Sequence, residues 1–265
     1  MCIICRGESL ENLEDLEVCE NVSEIPELPQ SLTHLYCFYC PLLTTLPELP
    51  QSLRVFYFYI CPLLTTLPEL PQSLIEFYCH ACLLLTTLPK LPQSLTILDC
   101  SRCPLLTTLP KLPQSLTDLE CRDCPLLTTL SELPQSLKTL YCNNCPLLTT
   151  LPKLPQSLKY LDCSNCPLLA TIPELPQSLT YLNCYNCTGL IFVYESALKF
   201  IPLKLLNSIN NYLKWRQQQS YDWFSSKTGI IYEELIRKTW HPSRAIDWCW
   251  DTEEVKWFKS LPITN

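Results

Sequence analysis

Hydrophobic and polar positions in this chain recur every 21 residues. The string P-x-L-P-Q-S-L begins at Pro26, Pro47, Pro68, Pro89, Pro110, Pro152 and Pro173, and an eighth copy has Ser131 in place of its first proline. Most copies continue x-x-L-x-C-x-x-C-P-L-L-T-T-L, as residues 94–109 (SLTILDCSRCPLLTTL) show. Within that unit Leu98 and Cys100 are two apart, so they share one face of a short strand. That face is the expected interior, with Ile97, Asp99 and Ser101 expected to point outward. Cys103 falls at the turn leaving the strand, and Leu106 and Leu109 fold back over the interior. Proline fixes φ and restricts its predecessor, so Pro110, Leu112 and Pro113 predict an extended, polyproline-like return path. One strand per repeat, stacked at about 4.8 Å, predicts a parallel sheet roughly 35–40 Å long for eight units. Before the array, Leu13, Leu16 and Val18 keep strand-like spacing in a degenerate unit, which reads as an N-terminal cap.

The pattern L-x-x-L-x-C-x-x-C-x-x-L-x-x-L-P matches the leucine-rich-repeat consensus. The fold expected is therefore a leucine-rich-repeat solenoid of the α/β superhelix class. Its parallel sheet lies on the concave face, its convex side is extended and Pro-rich, and a small helical cap closes its C-terminal end. Three regions follow: an acidic capping segment over residues 1–24, an array of eight 21-residue units over residues 25–189, and a helical, Trp-rich region over residues 190–265.

With those motifs in view, residues 25–187 resemble the leucine-rich-repeat regions of bacterial effectors of the YopM and IpaH type, which carry the phrase L-P-x-L-P-x-x-L-x-x-L. The likeness covers about 60% of the chain. The chain departs from it at Cys40, Cys61, Cys82, Cys103, Cys124, Cys145, Cys166 and Cys187, where those effectors mostly have Asn. Cys-bearing arrays with a short Trp-rich tail also resemble the repeat proteins of giant DNA viruses.

Composition narrows the function classes. Hydrophobic residues make up 47% of the chain, which separates it from disordered Pro-rich sequences despite 24 Pro and only 3 Gly. The net charge of −7 argues against nucleic-acid binding. Residues 1–30 alone carry that charge, with Arg6 against eight acidic residues, which reads as a solvated acidic end. The apolar start, Met1 to Cys5, is cut short by Arg6 and Glu8, so no secretory signal is expected. No stretch approaches the ~20 apolar residues of a membrane helix. A cytoplasmic location is expected (a host cytoplasm for a viral or effector protein), where thiols stay reduced.

The 19 cysteines then need a role other than disulfides. One column is Cys37, Cys79, Cys100, Cys121, Cys142, Cys163 and Cys184, with Phe58 standing in for a cysteine. The other is the eight just named. Zinc needs four ligands converging on one point, whereas each column runs along the stack. The cysteines are read as small buried hydrophobes. Neither metal nor cofactor is expected; Cys2 and Cys5 form a further C-x-x-C without a second pair to complete it. Adjacent strands bring thiols within bridging distance, so oxidation in vitro is expected.

The repeats vary where the strands face outward. The first outward column runs from His34 and Val55 to Tyr160 and Tyr181. The second is Tyr36, Tyr57, Tyr78, Asp99, Glu120, Tyr141, Asp162 and Asn183. The third is Phe38, Tyr59, His80, Ser101, Arg122, Asn143, Ser164 and Tyr185. The first three units gather Tyr36, Phe38, Tyr39, Tyr57, Tyr59 and Tyr78, and the middle units carry Asp99, Arg102, Asp118, Glu120 and Arg122. Tyr and Arg are enriched at interface hot spots, and exposed aromatic patches mark binding surfaces. The opposing reading is that Tyr and Phe simply suit strands. The protein-binding set expected is Tyr36, Phe38, Tyr57, Tyr59, Tyr78, Asp99, Glu120, Arg122 and Tyr141, acting in a monomer on a protein partner, without nucleic acid or membrane. His34 and His80 read as surface residues.

Beyond residue 190 the composition shifts, and all six Trp lie there. Leu205, Leu206, Ile209 and Leu213 make an apolar helical stripe in residues 202–219, with shorter helices expected over residues 232–239 and 251–259. The resemblance to IpaH-type effectors implies an alternative: a ubiquitin ligase, or ligase adaptor, acting through this region with Cys249-Trp250-Asp251 as a C-x-D nucleophile setting. That family's catalytic domain is several times longer than this tail. His241-Pro-Ser-Arg244 followed by residues 247–251 resembles the tail motif of the giant-virus proteins. Three glycines, Gly7, Gly189 and Gly229, build no phosphate-gripping loop. The expected function is non-enzymatic protein binding on the concave face.

Overall fold

Each unit opens with a turn that its own residues dictate. Proline fixes one φ in L-P-Q-S-L, and the Leu32 N–H donates to the Pro29 carbonyl at 3.1 Å. The same bond recurs in every unit, down to Leu179 and Pro176. The serine of this phrase then ties each turn to the unit before it. Ser52 Oγ donates to the Leu32 carbonyl at 2.6 Å, Ser115 Oγ to Leu95 at 2.6 Å and Ser178 Oγ to Leu158 at 2.7 Å. A hydroxyl is the smallest side chain that reaches this carbonyl as a donor, which accounts for the constancy of the serine.

The computed structural model describes residues 2–185 and 187. The turn releases the chain into a strand once per unit. In chain order the strands are β1 (Asp15–Val18), β2 (His34–Phe38), β3 (Val55–Tyr59), β4 (Glu76–His80), β5 (Ile97–Asp99), β6 (Asp118–Glu120), β7 (Thr139–Tyr141), β8 (Tyr160–Asp162) and β9 (Tyr181–Asn183). They form one parallel sheet in sequence order. From β2 onward the register advances by the repeat length, so Val55 faces Glu76, Ile97 faces Asp118 and Tyr160 faces Tyr181. The degenerate unit joins the same sheet, with Leu16 opposite Leu35 and Val18 opposite Cys37.

No helix occurs among the described residues, in keeping with an extended, proline-held return path. The sequence-expected helices over residues 202–219, 232–239 and 251–259, together with Cys249, lie outside the described residues. No helix among the described residues is long and apolar enough to cross a membrane.

Strand alternation places one row of Leu or Phe and one row of Cys, Val or Phe in the interior. Leu35, Phe56, Phe77 and Leu98 succeed one another in the first row, and Cys37, Phe58, Cys79 and Cys100 in the second, all fully buried. Leu106 and Leu109 close over them. The three phenylalanines pack as a unit, with ring centroids 4.1 Å apart for Phe56 and Phe58 and 5.7 Å for Phe56 and Phe77. Cys2, Ile3, Ile4, Cys5, Leu10 and Leu13 pack against the first end of this core, half-buried.

The second cysteine column does more than fill space. Cys103 Sγ donates to the Cys79 carbonyl at 3.0 Å, Cys145 to Cys121 at 3.2 Å and Cys166 to Cys142 at 3.2 Å. Each thiol thereby satisfies a buried carbonyl of the preceding unit, where the resembling effectors have an amide. An unpaired buried carbonyl costs ~1–3 kcal/mol, so even a weak S–H donor is worth keeping there. In the first column burial, the first cause in each, pushes the Cys100, Cys121 and Cys142 thiols well above the usual range. These sulfurs stay protonated and unreactive at neutral pH.

One sequence expectation needs correction. Ser101 was expected to point outward on the surface, yet it is 4% exposed, and Ser164 is buried as well. Ser101 lies past the end of β5, in a row where its neighbours are His80 and Arg122. A side chain this short sinks between them, and its Oγ accepts the Arg122 N–H at 3.2 Å.

Candidate functional site

The outward face of the sheet carries the residues that vary between repeats. On β2–β4 the second outward column is Tyr36, Tyr57 and Tyr78, each facing the next by register. Their rings pack along the sheet. Tyr57 and Tyr78 have centroids 4.8 Å apart, Phe38 and Tyr57 4.9 Å, Tyr36 and Phe38 5.7 Å, and Tyr59 and His80 4.9 Å. Such offset and tilted pairs each add ~0.5–1.5 kcal/mol beyond burial. The sequence-expected cluster is therefore one contiguous patch. It is less exposed than isolated tyrosines would be: Tyr36, Tyr57, Tyr59 and Tyr78 are half-buried by one another, while Phe38 is 39% exposed. Tyr39 stands apart in the turn after β2, 54% exposed and at φ +53°.

The polar members sit farther along the same columns. The Tyr78 hydroxyl donates to Glu76 Oε2 at 3.2 Å. Burial first, and the Glu76 carboxylate second, push its phenol above the ordinary range; burial and then Asp99 do the same for Tyr57. Both therefore remain protonated donors. Arg122 pairs with Glu120 on one side, and its guanidinium lies over the Tyr141 ring at 4.6 Å. Burial opposes its charge, but Glu120 outweighs burial and holds its pKa above the usual value. Arg122, Glu120 and Tyr141 form one charged and aromatic unit between β6 and β7. Asp99 accepts the Ser101 N–H at 2.8 Å, which ends its strand in an Asx turn. His34 lies by Asp15 Oδ1 at 2.7 Å and His80 packs at a tilt against Tyr59, so the two histidines assemble no catalytic pair.

Three further features lie outside the expected binding set. A second aromatic group, Tyr160, Tyr181 and Tyr185, is exposed near the last strand. A row of leucines, one per unit from Leu42 to Leu168, runs along the turn beyond the strands, between 37% and 51% exposed. It is visible as the first Leu of P-L-L-T-T-L, but only the fold shows that this Leu points out while the next points in. Finally, Cys19 Sγ lies 3.4 Å from Cys5 Sγ, and with Cys2 the three sulfurs all lie within 4.8 Å of one another. By sequence spacing Cys19 falls 21 residues before Cys40, and only the register of β1, with Val18 opposite Cys37, takes it out of that column.

The Leucine Rich Repeat family model matches residues 94–116, 136–158 and 157–179. Among solved structures the chain is similar to YopM, described as a leucine-rich effector protein from Yersinia pestis. The two are 30% identical, with 69% of this chain and 62% of that one covered, at a TM-score of 0.46. It is also similar to the T. pallidum leucine-rich-repeat protein TpLRR, at 21% identity, 75% and 82% coverage and a TM-score of 0.40. A third is CroV588, described as a circular leucine-rich-repeat structure, at 23% identity, 68% and 35% coverage and a TM-score of 0.26. The chain thus spans less than two thirds of the YopM structure. No curated protein matches it.

The class defined by repeat and sheet is the leucine-rich-repeat protein. Its repeats are similar to those of the YopM structure. Such repeats indicate a protein-interaction module, and their solenoid is typically a non-enzymatic scaffold.

Proposed function

We propose that this protein is a non-enzymatic binding module whose sheet face, concave in such solenoids, engages a protein partner. The contact set is Tyr36, Phe38, Tyr57, Tyr59 and Tyr78, continued by Asp99, Glu120, Arg122 and Tyr141. The observation that carries this reading is the contiguous, partly exposed aromatic patch on strand positions that the repeat leaves free to vary. Scaffold demands explain the constant positions: the serine bonds, the proline turns and the buried thiols. Among the outward positions Asp99, Asp162 and Asn183 also cap the backbone, but no such bond accounts for the aromatic row Tyr36, Tyr57 and Tyr78. Pre-packed rings lose little rotamer freedom on binding, which lowers the entropic cost of association.

Affinity purification with mass spectrometry tests it, comparing the wild type with a Tyr36→Ala/Tyr57→Ala/Tyr78→Ala variant. Hot-spot truncations cost ~2 kcal/mol or more apiece, so the variant should lose the specific partner while keeping its sheet circular dichroism. Equal recovery of the same partner by both proteins removes the patch as the site.

A further inference from the structure

Of the 18 cysteines among the described residues, 15 belong to the two buried columns. The remaining three are Cys2, Cys5 and Cys19, the only three that are half-exposed. They are also the three whose sulfurs converge. We propose that Cys2, Cys5 and Cys19 form a zinc(II) site that staples the N-terminal segment to the end of the sheet.

The local chain is shaped for this. The Arg6 N–H lies 3.2 Å from both the Cys2 and Ile3 carbonyls, the Gly7 N–H donates to Ile4 at 3.0 Å, and the Glu8 N–H to Ile3 at 3.3 Å. These bonds wrap the C-x-x-C into a turn, which Gly7 leaves at φ +68°, where a side chain would be strained. Two thiols thus come to one side. The third arrives from Cys19, one residue past β1, by way of the fold. The pair that the sequence leaves incomplete is completed here by a residue fourteen positions away.

Soft thiolates select zinc or copper(I) over magnesium or calcium. Three protein ligands leave zinc one open position for water. An open pocket lined by Cys2, Ile3, Leu13, Asp15, Glu17 and Cys19 lies against two of the three ligands. The surrounding segment carries eight acidic residues against Arg6, a field that draws cations in. Binding Zn²⁺ forms three Zn–S bonds, each thiol that becomes a thiolate ligand gives its proton to solvent, and no oxidant is needed.

The test uses the full chain, kept reduced and stripped of metal by a chelator, then titrated with cobalt(II) and back-titrated with zinc(II). Expected is one cobalt per chain, with thiolate charge-transfer absorption and the d–d bands of tetrahedral cobalt, lost when zinc is added. Cys2→Ser and Cys5→Ser should each weaken zinc binding by about tenfold or more, and zinc should raise the thermal midpoint of the wild type alone. Where a serine variant loses its sheet signal, the wild type still decides. Zinc should slow alkylation of Cys2, Cys5 and Cys19 by about tenfold, because bound thiolates are no longer free nucleophiles. The proposal falls if cobalt binds without these bands, if both serine variants bind as the wild type does, if zinc leaves the labelling unchanged, or if the reduced protein contains a Cys5–Cys19 disulfide.

Discussion

The strands β2–β4 and the strands β5–β9 follow one backbone path with two kinds of residue. The first group has strands of five residues, a buried cluster of Phe56, Phe58 and Phe77, and a tyrosine row outside. The second has strands of three, Leu and Cys inside, and mostly polar residues outside. In the second group Asp99, Asp162 and Asn183 capture the N–H two residues on, at 2.8, 3.0 and 3.2 Å, and so turn the chain away from the sheet. β6 and β7 are equally short with Glu120 and Tyr141 in that column, so the Asx bond reinforces the shorter strand in three units without setting its length in all five.

The turn after each strand shows the same divide. Its residue is left-handed in seven successive units, at Tyr39, Ile60, Ala81, Arg102, Asp123, Asn144 and Asn165. Asn and Asp tolerate this region, whereas a β-branched residue is strained there. The later units also link these residues: Asn144 Nδ2 donates to Asp123 Oδ1 at 2.8 Å, and Asn165 Nδ2 to Asn144 Oδ1 at 2.8 Å. The later units agree with their fold locally. The early units accept strained turns while carrying the aromatic surface, and departures of that kind concentrate where a protein functions.

The comparison can be broken or sharpened at three points. The largest effect is expected at Phe58→Cys. This change gives β3 the repeat's usual residue, yet it should cost about 2–4 kcal/mol by emptying a cavity beside Phe56 and Phe77. Urea unfolding followed by circular dichroism reads it, and an unchanged midpoint would show that the early core does not depend on its rings. Next is the serine ladder, which crosses both groups unchanged. Ser52→Ala and Ser115→Ala should each cost about 1–2 kcal/mol by orphaning a carbonyl of the preceding unit. Costs that differ more than twofold between the two would mean the scaffold is not shared. The smallest effect is a reciprocal pair. Ile60→Asn should stabilise by about 1 kcal/mol by relieving a left-handed isoleucine, and Asn144→Ile should destabilise by a similar amount. A Tm that falls for Ile60→Asn would place the strain elsewhere.

Much of this is legible in the sequence. The period gave the sheet, and alternation assigned Leu98 and Cys100 to the interior and Tyr57 and Asp99 to the surface. What escaped was whatever depends on a neighbouring turn. The constancy of Ser115 was plain, but its acceptor, the Leu95 carbonyl, sits one unit back. Ser101 is outward by parity, yet it is buried, as is Ser164 three rows along the same column. Cys5 and Cys19 meet because the first segment folds across β1, and no periodic rule covers residues that do not repeat. The aromatic patch was identified as a set of residues; its mutual shielding, which leaves Phe38 most open, required the stacking geometry.

The unbroken register of the sheet has a consequence for how such a chain changes over generations. Leu98, Leu119 and Leu140 meet their neighbours in the same way. Excising residues 118–138 would therefore rejoin Thr117 to Thr139 and set Leu98 against Leu140, an interior contact of the same kind. Duplicating them would lengthen the sheet face by one row. Recombination between near-identical repeats can thus resize this surface in whole steps, each product keeping the interior of the stack.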